Sequence, residues 1–154
     1  MKKLMIALAC VVAMVACTSR KANVADDPGR EVTFTVAQRY FFNNGQEIPA
    51  SPKITNETEF KRLFGMAAVM GKNGQPTEID FAKSFVVALV EPVTDIETEL
   101  TPVKVVERGD SLFYTYERRT GEKQSFSMQP VSIIILDKKY AEKEIVLNKL
   151  GMRN

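Results

Sequence analysis

The stretch IDFAKSFVVALV, residues 79–90, is the longest apolar-rich run outside the amino terminus, and it decides the fold. Residues 85–90 follow one another without a polar break, as is typical of a strand covered on both faces. Because β-branched and aromatic residues dominate this run, a strand is favoured over a buried helix. Pro92 lacks an amide donor, so we expect the strand to end near Glu91.

The amino terminus has the features of a secretory signal. Lys2 and Lys3 precede an apolar stretch at residues 4–16 that is too short to span a bilayer, and a small residue stands before Cys17. This pattern predicts a signal peptide at residues 1–16 and lipidation of Cys17. The alternative is an ordinary cleaved signal, which would leave Cys17 as an unpaired thiol in an oxidising compartment.

Lipidation of Cys17 predicts where the protein resides. Acyl chains would anchor it to a membrane, because two chains already give stable attachment. Thr18 stands where an aspartate would resemble an inner-membrane retention signal, so we expect the outer membrane. Either the periplasmic or the surface face is possible. Residues 17–30 are predicted to be the lipidated cysteine and a flexible spacer, and residues 31–150 a single domain.

The charge balance argues against a nucleic-acid partner. The chain has 21 basic and 19 acidic residues, and Lys2 and Lys3 leave with the predicted signal. The mature chain is therefore formally neutral, whereas nucleic-acid-binding domains are usually basic.

Two residue types that many catalytic sites require are missing from the predicted domain. The sequence has no histidine, and its two cysteines, Cys10 and Cys17, lie at the amino terminus. Serine and cysteine triads and zinc sites are therefore not expected, and we predict a non-enzymatic protein without a cofactor. Asp95, Glu97 and Glu99 could bind a hard cation, but their alternation on one strand favours a solvated edge, so we predict no metal site.

The remaining pattern predicts a mainly β fold. Val32, Phe34 and Val36 alternate with threonines as in a first strand, which we expect to continue to residue 42. A short helix should follow, capped by Thr55 or Asn56 and ended by Gly65; its apolar stripe comprises Phe60, Leu63 and Phe64.

A β-meander is predicted after the central strand. We expect a strand at 96–107 that is broken or bulged at Pro102, a turn at 108–110, a strand at 111–117, a hairpin at Thr120-Gly121 and strands at 123–129, 131–136 and 143–149. About seven strands with one short helix after the first strand indicate a small curved sheet or a closed β-barrel.

The segment GMAAVMG, residues 65–71, is the candidate partner-binding site. It contains five consecutive apolar residues where loops are usually polar: Met66, Ala67, Ala68, Val69 and Met70. An exposed recognition loop is one interpretation. In the alternative, the segment continues the helix or plugs the end of a barrel.

Three stretches resemble a known domain. ITNETEFKRLF (54–64), IDFAKSFVVALV (79–90) and VKVVERGDSLFYTY (103–116) are similar to the PrcB-like domain in the subunit of a bacterial surface protease complex. The similarity covers residues 54–147. Residues 91–95, EPVTD, stand where that family carries a glycine-rich turn.

The mature chain as a whole resembles the potempins, small lipoprotein β-barrels that inhibit peptidases at the outer membrane. The resemblance depends on the lipidation site, the spacer, the aromatic first strand and GMAAVMG before IDF. It implies a β-barrel binding module whose partner is a secreted or surface peptidase. A non-catalytic stabilising subunit of a surface protease complex, or an envelope adaptor or ligand-binding lipoprotein, are the alternative functions.

Overall fold

The structure is a computed structural model that describes residues 28–71 and 74–151. Its elements in chain order are β1 (Arg30–Val32), β2 (Thr35–Ala37), β3 (Tyr40–Phe42), β4 (Lys53–Ile54), α1 (Glu57–Leu63), β5 (Phe64–Met66), β6 (Ser84–Val90), β7 (Thr94–Arg108), β8 (Ser111–Met128), β9 (Val131–Asp137), a 3-10 helix (Lys138–Tyr140) and β10 (Glu144–Leu150). The predicted mainly β fold is confirmed. The predicted signal peptide, Cys17 and the spacer up to residue 27 lie outside the described residues.

Strand β6 is the centre of the core, as predicted. It pairs with β9 on one edge and with β4 on the other. Its odd-numbered residues, such as Val87, belong to one apolar cluster, and its even-numbered residues, such as Val86, belong to a second. Because successive side chains of a strand point to opposite faces, an unbroken apolar run is what burial on both faces requires.

Two four-stranded sheets enclose the first cluster. One has the order β1-β7-β8-β10, and the other has the order β2-β9-β6-β4. Helix α1 and a two-stranded sheet of β3 and β5 cover the outer face of the second sheet, where the other cluster lies. Among the described strands, the pairings do not join the sheets into a ring, so a closed barrel is not confirmed.

The predicted first strand is divided into three. β1, β2 and β3 each enter a different sheet, pairing with β7, β9 and β5 respectively. Arg39, between β2 and β3, has a φ of 66°, a left-handed conformation that is costly for a non-glycine residue but lets the chain change sheets. The predicted order is also wrong, because α1 follows four strands and not the first one.

The strands after β6 do not form a simple meander. The bulge at Pro102 is confirmed by a register shift between Pro102 and Lys104. The predicted hairpin at Thr120-Gly121 is wrong: β8 continues through it, and its second half pairs with the first half of β7. Strand β10 pairs in parallel with β8, an arrangement that needs a long connection and that local pattern does not reveal.

Helix α1 is capped as predicted but ends earlier. The Asn56 Oδ1 accepts a hydrogen bond from the Glu59 amide at 2.8 Å, and Phe60, Leu63 and Phe64 are buried. The backbone is extended at Phe64, so Gly65 lies in β5 and does not end the helix. Packing explains why residue 65 is a glycine, because a Cβ at this position would collide with the Phe41 side chain on β3.

In the parts of the chain that the structure describes, no helix is long and apolar enough to cross a bilayer.

Candidate functional site

Residues 66–70 leave the small sheet as a loop. Met66 is the last residue of β5, opposite Tyr40 on β3. The Ala67 amide still donates to the Arg39 carbonyl at 2.9 Å, and the chain then departs from the sheet. The base of the loop is therefore attached to β3 by a backbone hydrogen bond.

Backbone hydrogen bonds also close the far side of this loop. The Val69 amide donates to the Gly74 carbonyl at 2.8 Å, and the Gly74 amide donates to the Gly71 carbonyl at 3.1 Å. Gly71 has a φ of 124°, which favours glycine, and a Cβ on Gly74 would overlap the Val69 carbonyl. The glycine at position 74 thus permits the close approach of its backbone to Val69.

The side chains of this loop face solvent. All five residues of the 66–70 segment are exposed, and Met70 is fully so, at 104% relative accessibility. The segment is neither a continuation of α1 nor a plug in the core, so those alternatives are wrong. Binding of a partner by Met66, Ala67, Ala68, Val69 and Met70 stays a prediction.

A groove lies next to the loop, and we call it the β5 groove. Its walls come from β5, from α1 and from residues 75–81, and its volume is about 540 Å³. Apolar side chains line most of it: Tyr40, Phe60, Phe64, Met66, Ile79 and Phe81. Binding pockets for small ligands and side chains commonly have volumes in this range.

Aromatic rings in mutual contact form the floor of the groove. The Phe60 ring lies 5.1 Å from the rings of both Tyr40 and Phe64 and 5.5 Å from that of Phe81, measured between centroids. Such contacts stabilise a cluster beyond simple burial. The groove is therefore built from side chains that the fold already holds in place.

Residues 75–81 are attached to the small sheet through Thr77. The Tyr40 hydroxyl donates to the Thr77 carbonyl at 2.7 Å, and the Gln38 amide donates to the Thr77 hydroxyl at 3.0 Å. Partial burial raises the pKa of Tyr40, so this hydroxyl keeps its proton at neutral pH and remains a donor.

Sequence reasoning missed the β5 groove. The sequence pattern places Tyr40 in the first strand and Phe60 in the helix stripe, and both predictions concern local packing. The only available signal was an excess of aromatic residues on both elements, which does not reveal that they meet.

The charges around the groove are few. Lys61 and Glu57 on α1 form an ion pair at 2.6 Å, both of them largely exposed. Glu78 lines the same groove but pairs with no described lysine or arginine. Among the residues that the structure describes, the groove rim therefore carries one carboxylate without an ion-pair partner.

The acidic strand considered for a cation shows no metal-binding arrangement. Asp95 forms an ion pair with Lys123 at 3.1 Å. Within residues 28–71 and 74–151, no group of three or more acidic side chains could hold a metal ion.

Comparison of the chain with protein-family models, with curated proteins and with solved structures finds no match.

Proposed function

We propose that the protein is an outer-membrane lipoprotein with a barrel-like binding domain that inhibits a secreted or surface peptidase. The observation that supports this proposal is the exposure of five consecutive apolar residues, 66–70, on a loop that is closed by its own hydrogen bonds. Exposed contiguous apolar surface on a soluble domain commonly marks a protein interface.

A closed loop of this kind suits an active-site cleft. Peptidase clefts accept extended segments, with backbone pairing for affinity and one side-chain pocket for specificity. Val69 and Met70 would supply the apolar side chain, and methionine adapts well to the shape of a pocket. Because hydrogen bonds at Ala67, Val69 and Gly74 already order the loop, less conformational entropy is lost when it binds.

The anchor in this proposal is Cys17. Cys17→Ala should release the protein from the membrane fraction or leave its signal uncleaved. Labelling with a radioactive fatty acid tests this, and a Cys17→Ala variant that still incorporates label would disprove lipidation at this residue.

Inhibition is tested with the full-length protein in detergent. Progress curves for secreted serine, cysteine, aspartic and metallo-endopeptidases should show inhibition of at least one class. A peptidase that gains thermal stability and keeps its activity would instead indicate the stabilising-subunit alternative. If no peptidase is inhibited or stabilised, the envelope-adaptor alternative is favoured.

A further inference from the structure

Strand β5 has an outer edge that is free at Met66, whereas the Phe64 amide on the same edge donates to the Phe60 carbonyl of α1. Within the described residues it pairs with β3 alone, in a two-stranded sheet. Such an edge presents backbone donors and acceptors to which another chain can add.

The register of β5 identifies the groups that face outward. Hydrogen bonds join residues 39 and 67 and residues 43 and 63 across the two strands. Since hydrogen-bonded and non-hydrogen-bonded pairs alternate in an antiparallel ladder, Gly65 faces β3, and the amide and carbonyl of Met66 point away from it.

The β5 groove lies beside this strand. Gly65 lines the groove although it has no side chain, so the backbone of β5 itself forms part of the wall. The aromatic floor beneath it is wide enough for a side chain, and Glu78 adds the carboxylate described above.

From these features we propose that the β5 groove binds an extended peptide, which adds to β5 as a third strand. One apolar side chain of the peptide lies among Tyr40, Phe60 and Phe81. A lysine or arginine two positions away, on the same face of the added strand, lies near Glu78 because strand side chains repeat every second residue. This inference does not depend on peptidase inhibition and holds for any partner that presents such a segment.

The experiment uses full-length protein in detergent and a fluorescein-labelled, acetylated heptapeptide, Ser-Lys-Thr-Leu-Thr-Lys-Ser. Fluorescence anisotropy should show saturable binding. The same peptide with aspartate in place of leucine should bind at least roughly tenfold more weakly, because an apolar pocket rejects a charge.

Strand addition is tested with two N-methylated peptides. One carries the methyl group on the leucine amide, and the other carries it on the threonine amide that follows. Only alternate amides of an added strand face β5, so one peptide should bind as the unmodified one does, and the other roughly tenfold more weakly. Equal affinity of the two peptides overturns the proposal.

The protein side has a matched pair of variants. Met66→Pro removes the outward amide donor without touching a hydrogen bond to β3, and Met66→Ala keeps the donor but shortens the side chain. Met66→Pro should weaken binding by about tenfold more than Met66→Ala does. If Met66→Pro does not fold, the N-methylated peptides still decide the question with the unaltered protein.

Charge reversal tests the recognition of Glu78. Glu78→Lys should weaken binding of the lysine peptide and improve binding of its glutamate counterpart, and both effects should decline at high salt. Absence of any binding by the lysine peptide overturns the proposal. A concentration-dependent dimer that occupies the groove, detected by sedimentation, would also overturn it, because the occupant would then be a second copy.

Discussion

Strand β6 and residues 66–70 are both apolar runs, yet they lie in opposite environments. Residues 85–89 of β6 are buried, whereas all of residues 66–70 are exposed. β6 has a strand on each edge and an apolar cluster on each face. Residues 66–70 are joined to the neighbouring chain only through Met66 and the Ala67 amide, and the segment then leaves the sheet. Hydrophobicity alone therefore does not determine burial in this protein; the pairing available to a segment does.

Composition marks a second difference between the two runs. β6 contains three valines and a phenylalanine, which favour a strand, and residues 66–70 consist mostly of methionine and alanine. Methionine adapts to irregular surfaces and is common at binding sites. An exposed apolar loop that is otherwise unexplained thus supports the inhibitor proposal.

The largest expected effect comes from charging the buried run. Val87→Asp places a carboxylate where the side chain is fully buried, and this should cost several kcal/mol against a total stability of about 5–15 kcal/mol. The variant should not fold, as judged by circular dichroism. Val93→Asp is the control, because Val93 is 63% exposed and should tolerate the change. A normal melting curve for Val87→Asp would contradict the role of β6.

The second prediction concerns the pH dependence of stability, which tests the apolar cluster that contains Val87 and Tyr114. Burial raises the pKa of Tyr114 to about 12, whereas an unfolded tyrosine titrates near 10. Since the folded pKa is the higher one, this stability is complete below about pH 10 and is lost as pH rises towards about 12. The free energy of unfolding should fall by about 2–3 kcal/mol over this pH range because of Tyr114. Tyr114→Phe should abolish the decrease that Tyr114 causes.

Urea unfolding at about pH 9 and about pH 11.5 measures this difference. The contributions of Tyr40 and Tyr116 remain in both proteins, so only the difference between them reports on Tyr114. If the wild type and Tyr114→Phe lose the same free energy of unfolding between these pH values, burial does not raise the pKa of Tyr114.

Charging the exposed run should have a different consequence. Val69→Asp should change the free energy of unfolding by no more than about 0.5 kcal/mol, because Val69 is 53% exposed. Affinity for an inhibited peptidase should fall by roughly 2 kcal/mol, about thirtyfold, if Val69 is a binding hot spot. Ala68→Ser is a milder control on the same loop. Unchanged inhibition by Val69→Asp would remove this loop from the proposed interface.

The smallest effect concerns the helix that covers the other face of β6. Asn56→Ala removes the hydrogen bond to the Glu59 amide and should lower stability by about 1 kcal/mol. Asn44→Ala, in an exposed turn, should be nearly neutral. Equal melting temperatures for the two variants would mean that packing of Phe60 and Leu63, and not the cap, holds α1 in place.

Local sequence was sufficient to predict those elements whose structure depends on residues close together in the chain. The unbroken run of β6, the cap at Asn56, the stripe of α1 and the bulge at Pro102 could all be predicted, because each depends on neighbouring residues. The mainly β character followed from these patterns. The anchor at Cys17 stays a prediction, because this residue lies outside the described residues.

Only the tertiary structure decided which strands pair. It divided residues 30–42 among three sheets, carried β8 through Gly121 and placed β10 parallel to β8. It also exposed residues 66–70 and formed the β5 groove from segments that are distant in sequence. Strand propensity and alternation show which side chains share a face, but the partner of an edge depends on the packing of the whole chain, and that is the physical reason these features could not be predicted locally.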